Sequence, residues 1–186
     1  MTERLDKVGT EINPVSLQNE TLAFLLGYWN AKRGARAMPS RGDLKVSELK
    51  EHLGWVMIVE VLPGISDFRY KLMGTLVTQY FIKDSTGRTV KEIYTGVNDA
   101  AGKGVSAIFR KCARDKVVVR AYGDAGWIGD GFEDFDCICL PLSEDGETVN
   151  MILHAFTFDR SSVLLAREVA KANGGELPSM AIRSAS

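Results

Sequence analysis

The chain has 186 residues, 45% of them hydrophobic and 25% charged, with a formal net charge of −1. These values fit one globular domain with extensions, and the near-neutral balance excludes a global field that would draw in nucleic acid or anionic lipid. Three cysteines, a polar first stretch and no apolar run of spanning length exclude a disulfide-built secreted scaffold and a transmembrane anchor. A cytoplasmic protein with reduced thiols and no nucleic-acid or membrane partner is therefore expected.

In chain order, residues 1–15 read as a polar lead-in closed by Pro14. Ser16 is the expected N-cap of a first helix over 17–33. Leu22, Leu25, Leu26 and Trp29 recur at helical spacing, with Phe24 and Tyr28 on the neighbouring stripe. Lys32 and Arg33 suit the last turn, and Gly34 suits the cap. A helix this apolar has to dock on something. It feeds a loop from Pro39 to Asp43 that carries Arg41, and Val46 to His52 should add one or two helical turns.

The period then changes. Trp55 to Leu62 is a β run with little polar relief on either face, and Pro63-Gly64 is a turn signal. Asp67 to Thr75 alternates, with Phe68, Tyr70 and Leu72 on one face and Arg69 and Lys71 on the other. Leu76 to Ile82 is short and apolar, and Asp84 to Arg88 reads as a turn. Residues 98–114 carry Val105, Ile108, Phe109 and Cys112 at helical spacing. Gly102 and Gly104 weaken the first turns of that helix, which are expected to fray.

Three further β runs follow: Val117 to Tyr122, Phe132 to Leu142 and Glu147 to Phe158. Asp145-Gly146 predicts a two-residue hairpin. In that register Leu140 opposes Met151, Cys137 opposes His154, and Glu144 opposes Glu147, a like-charge pair that weighs against it. One face of the hairpin carries Phe135, Cys137, Cys139, Ile152, His154 and Phe156. The other carries Ile138, Leu140, Leu142, Val149, Met151, Leu153 and Ala155. Neither face is polar, so each must be covered. The 98–114 helix can cover one, and the N-terminal helix the other, from its own chain or from a partner copy. Residues 161–172 read as a further helix stopped at Asn173 to Gly175, with a flexible tail to residue 186.

The expected fold class is α+β: a five-stranded antiparallel sheet over about residues 16–160, with a helical insert on one face and an amphipathic N-terminal helix on the other face or at a dimer interface. These elements resemble a PAS domain, and more narrowly a family of PAS-like proteins found mainly in α-proteobacteria. The resemblance rests on Tyr28-Trp29, the Pro39 to Asp43 loop, the Arg69 to Thr75 strand and the Thr86-Gly87-Arg88 turn. It spans about residues 22–158; a proline common after the loop is Val46 here. It implies the sheet order 2-1-5-4-3, counted over five strands, with a pocket between sheet and insert. It also implies a sensory or ligand-binding module, a homodimer through the N-terminal helix, or a partner signalling protein. No particular ligand or cofactor is implied.

The candidate ligand-binding residues are Arg41, Asp43, Tyr70, Phe109, Cys112 and His154. Arg41 suits bidentate binding of an anion, or equally a tie to backbone carbonyls that locks the loop. Cys137, Cys139 and His154 converge on one face, but no fourth metal ligand is signalled, and packed core is the preferred reading. Haem-bearing PAS sensors carry a histidine on the pocket helix, and residues 98–114 have none; Cys112 lacks the surroundings of a flavin-adduct cysteine. His52 reads as a surface or cap residue, and Trp55 and Trp127 as core. Gly126 to Gly131 reads as a turn, and Glu133, Asp134 and Asp136 as a solvated acidic cluster. Arg69, Lys71 and Arg120 read as a solvated strip on the strands. No catalytic motif is present; His154 is the only base on the sheet that an isomerase or dehydratase could use.

Overall fold

The structure is a computed structural model, and it describes residues 9–15, 17–80, 84–125 and 134–158. The expected Ser16 cap, the end of the 76–82 run, the 126–131 turn with Trp127, Glu133 and the 161–172 helix lie outside those residues.

Among the described residues one antiparallel sheet of six strands carries the fold. Its strands are β1 (Gly9–Ile12), β2 (Val56–Val61), β3 (Phe68–Met73), β4 (Val119–Asp124), β5 (Asp134–Leu142) and β6 (Met151–Thr157). The spatial order is β1-β4-β5-β6-β2-β3. Without β1 this is the 2-1-5-4-3 order expected for five strands. The sixth strand comes from the polar lead-in, which pairs Gly9 with Tyr122 and Ile12 with Val119 on the edge of β4. Period alone could not find so short a polar strand; its partner, not its own pattern, makes it one.

The helices are α1 (Glu20–Arg33), α2 (Val46–Leu49), α3 (Thr75–Tyr80), α4 (Val90–Tyr94) and α5 (Asp99–Asp115). α1 begins later than expected because Asn19 caps it, accepting from Leu22 N at 3.1 Å. Leu22 and Leu25 are fully buried within this one chain, and Trp29 Nε1 donates to the Pro141 carbonyl of β5 at 2.8 Å. α5 packs on the other side, where its Phe109 ring meets His154 of β6. Ile138, Leu140, Leu153 and Ala155 point away from Phe109 and are buried too, so both faces of the sheet are covered, as the apolar strands require.

The β5–β6 hairpin corrects the expected register. Cys139, not Cys137, faces His154, and Leu142 faces Met151. The slip is even, so every side chain keeps its expected face. The two-residue turn fails because Asp145 Oδ1 accepts from Ser143 Oγ, Glu147 N and Thr148 N at 2.7, 2.8 and 2.6 Å and gathers residues 143–150 into a loop. That loop also keeps Glu144 from facing Glu147.

Further expectations are corrected as well. Arg120 is not on a solvated strip: it is 4% exposed and forked onto Asp136, itself fully buried, at 2.9 and 2.6 Å. Each charge is buried because the other is there. Gly102 and Gly104 sit inside α5, not in a frayed end, and both are buried. His52 is half-buried against α1, with its Nδ1 3.1 Å from Thr21 Oγ1 and its ring stacked on Phe24.

Candidate functional site

Four of the six candidate residues share the space between α5 and the sheet. The helical stripe of α5 presents Phe109 and Cys112 inward. The alternation of β3 presents Phe68 and Tyr70, and that of β6 presents His154 and Phe156. Phe109 is the centre. Its ring lies 5.4 Å from Phe68, 6.3 Å from Tyr70 and 5.1 Å from His154, all edge to face. Tyr70, Phe109, Cys112 and His154 are all buried.

The polar atoms of this shell have defined states. His154 Nδ1 lies 2.9 Å from the Ile138 carbonyl oxygen and 3.3 Å from Cys139 Sγ. A carbonyl only accepts, so Nδ1 carries the proton and Nε2 is left as the acceptor. Burial lowers the His154 pKa to about 4 and keeps the ring neutral. Burial likewise pushes the Cys112, Cys137 and Cys139 thiols far above their ordinary range. Among the described residues no cluster of histidines, cysteines or carboxylates could hold a metal ion. No hydrogen bond joins His154 to a carboxylate among them either.

One further residue was not visible in the sequence. Asp67, at the head of β3, is buried, and its Oδ1 has no hydrogen-bond partner among the described residues. Burial raises the Tyr70 pKa well above the phenol value, and Tyr94, Cys139, Cys137 and Asp67 add to it. An aspartate after Pro-Gly and a serine reads as a turn residue, so no sequence signal marked it.

Arg41 and Asp43 lie elsewhere, in a 3-10 turn (Arg41–Asp43) beside the 143–150 loop. Asp43 Oδ2 accepts from Ser40 N at 2.8 Å and pairs with Arg36 at 2.9 Å, and these contacts hold its pKa below the usual carboxylate range, the Ser40 bond most of all. Arg41 Nη1 reaches the Leu44 carbonyl at 3.4 Å, and Arg41 N donates to Glu144 Oε1 at 3.1 Å. Ser143 N donates to the Pro39 carbonyl at 2.9 Å. The signature loop thus clasps the β5–β6 hairpin.

The other signature residues do similar work. Tyr28 Oη donates to Glu48 at 2.8 Å and accepts from Lys45 N at 2.9 Å, tying α1 to α2. Gly87 N donates to the Tyr70 carbonyl at 2.7 Å, and Tyr70 N to the Arg88 carbonyl at 3.1 Å, so the Thr-Gly-Arg turn seals the edge of β3.

No helix among the described residues is long and apolar enough to cross a membrane. No curated protein and no solved structure matches the chain. A family model described as PAS domain matches residues 17–156, the span that holds α1, the β2 to β6 order, the helical insert and the signature ties, and the chain therefore belongs to the PAS domain family.

Proposed function

We propose that this PAS domain is a sensor module that takes a small, mostly apolar ligand between α5 and the sheet, where Tyr70, Phe109, Cys112 and His154 form the walls. Asp67 Oδ1 carries the reading: among the described residues it is a buried acceptor without a donor. Leaving such an atom unmatched costs about 1–3 kcal/mol, which an N–H or O–H of the ligand would recover. The ligand is then a compact molecule with one donor group. Native mass spectrometry of the full chain as purified is the test. A discrete retained mass in the wild type that Asp67→Ala loses is the expected result. A wild type that carries nothing and shows no thermal shift with any small hydrogen-bond donor, beside an Asp67→Ala that is at least as stable, would overturn it.

The interaction half of a PAS role has its own support. Leu22, Leu25 and Trp29 of α1 turn inward, while Ala23, Phe24, Gly27 and Ala31 stay exposed, Phe24 by 37%. A second copy of the chain meeting that outward side would form the homodimer. Phe24→Glu should then halve the mass seen by light scattering with the fold kept by circular dichroism, at some loss of stability from the His52 stack; a monomeric wild type, or a variant of unchanged mass, rejects it.

A further inference from the structure

A concavity of about 330 Å³ opens between α4 and α5. α4 lines it with Lys91 and Tyr94, and α5 with Asp99, Lys103, Ser106 and Arg110. The α5 positions fall three and four residues apart, so they share one helix face. Its floor is held closely. A Cβ on Gly102 would stand 2.6 Å from Tyr94 Cβ, so only glycine lets the two helices approach this far. A reciprocal cap fixes the start of α4: Glu92 Oε2 accepts from Thr89 N at 2.7 Å, and Thr89 Oγ1 from Glu92 N at 3.2 Å.

The charge in this cleft is unbalanced. Three cations face one carboxylate. Asp99 is already engaged, accepting from Gly96 N at 3.0 Å at the helix connection. Lys91 Nζ is pinned by the Ser66 carbonyl at 3.0 Å, which leaves it further N–H groups to offer. Among the described residues no ion pair or hydrogen bond engages the side chains of Lys103 or Arg110. Cations grouped around a concave space, and not neutralised, favour an anion.

We propose that the α4–α5 cleft binds a small phosphate monoester. The net positive excess of two matches a phosphate dianion better than a carboxylate. The planar guanidinium of Arg110 takes two phosphate oxygens in parallel, and Lys91 and Lys103 supply point charges. Ser106 adds a hydroxyl donor. Burial raises the Tyr94 pKa to about 12, so the phenol stays neutral and adds no opposing charge. The organic part of the ester lies on the Tyr94 side chain and Val90. The volume is that of the smaller known small-molecule sites, about 300 Å³ and upward. This site is distinct from the shell around Phe109, and its occupancy is independent of whether that shell binds a ligand.

Isothermal calorimetry of the full chain with phenyl phosphate tests it, with benzoate as the carboxylate of similar body. One-site binding is expected, weaker by about tenfold or more for benzoate and for each of Lys103→Gln and Arg110→Gln. Lys103 is exposed, so its variant leaves the packing intact, and unchanged circular dichroism checks this for both. No binding of phenyl phosphate up to about 10 mM would overturn the site, as would both variants binding like wild type. Benzoate binding as tightly as phenyl phosphate would overturn the assignment to phosphate.

Discussion

Gly74 ends the Arg-Tyr-x-Leu-x-Gly-Thr strand at a point where the chain doubles back on itself. A Cβ there would run into the carbonyl oxygens of Leu53 and Gly54, and Gly74 N donates to the Val56 carbonyl at 2.8 Å. Backbone cannot step aside as a side chain can, so Gly74→Ala should destabilise by about 2–3 kcal/mol, measured as a lower urea midpoint. His154 sets a pH dependence. Its pKa falls to about 4 in the fold from 6.5 in a free imidazole. Between those values the unfolded chain holds a proton that the folded protein does not, so stability rises with pH across the window and is lost below it. The whole effect is about 3 kcal/mol. Urea titrations from pH 7 to pH 4 should show it as a difference between wild type and His154→Gln, since the variant lacks the titrating ring. At this scale the sequence exposed residue types and faces. It did not expose Asp67, because an orphan acceptor is defined by what surrounds it, and the neighbours come from several elements.

Between elements, single contacts join what the chain keeps apart. Trp29 and Pro141 stand far apart in sequence, yet their hydrogen bond seats α1 on β5. Trp29→Phe keeps most of the apolar area and leaves the carbonyl unmatched, so a loss of about 1–2 kcal/mol in chemical denaturation is expected. The pair of Arg120 and Asp136 locks β4 to β5, and Glu11 of β1 reaches the same guanidinium at 3.4 Å. Asp136→Asn removes one buried charge and takes from Arg120 its closest and most buried carboxylate, at a cost of about 3 kcal/mol. A paired Arg120→Met, Asp136→Leu variant should recover most of that, and a urea comparison of the two variants separates a stranded charge from a packing defect. α1, α5 and the strands β2 to β6 were legible from period, α5 almost to the residue, because a buried stripe must repeat with the backbone, whereas the short α4 (Val90–Tyr94) carries too few turns to show one. The lead-in strand and the hairpin register were not. A polar strand takes its identity from its neighbour, and the aspartate that builds the 143–150 loop reads equally well as half of an Asp-Gly turn.

On the scale of the molecule, α1, the sheet and α5 share one continuous core, and all three cysteines lie within it. Burial raises every thiol pKa. A thiol reagent therefore needs the core to open before it finds a thiolate. Ellman's reagent should find almost no fast-reacting thiol in the native protein and three in urea; a rapid native thiol would contradict the single core. The family signature serves this same unity. Tyr28, Trp29, Pro39, Arg41, Gly74 and Gly87 each clasp one segment to another, which is why that signature marks the fold plainly and leaves the ligand to be sought elsewhere.

The α+β class, the covered faces of the β5–β6 pair and the helix that carries Phe109 can be read from the amino acids alone. Each of these is written in the spacing of apolar residues along a few turns or one strand. The pairing of β1, the mutual neutralisation of Arg120 and Asp136, the acceptor of Asp67 left unmatched among the described residues and the cations between α4 and α5 emerge from the folded arrangement. Those depend on electrostatics and hydrogen bonding between groups distant in the chain, and such interactions leave no period behind.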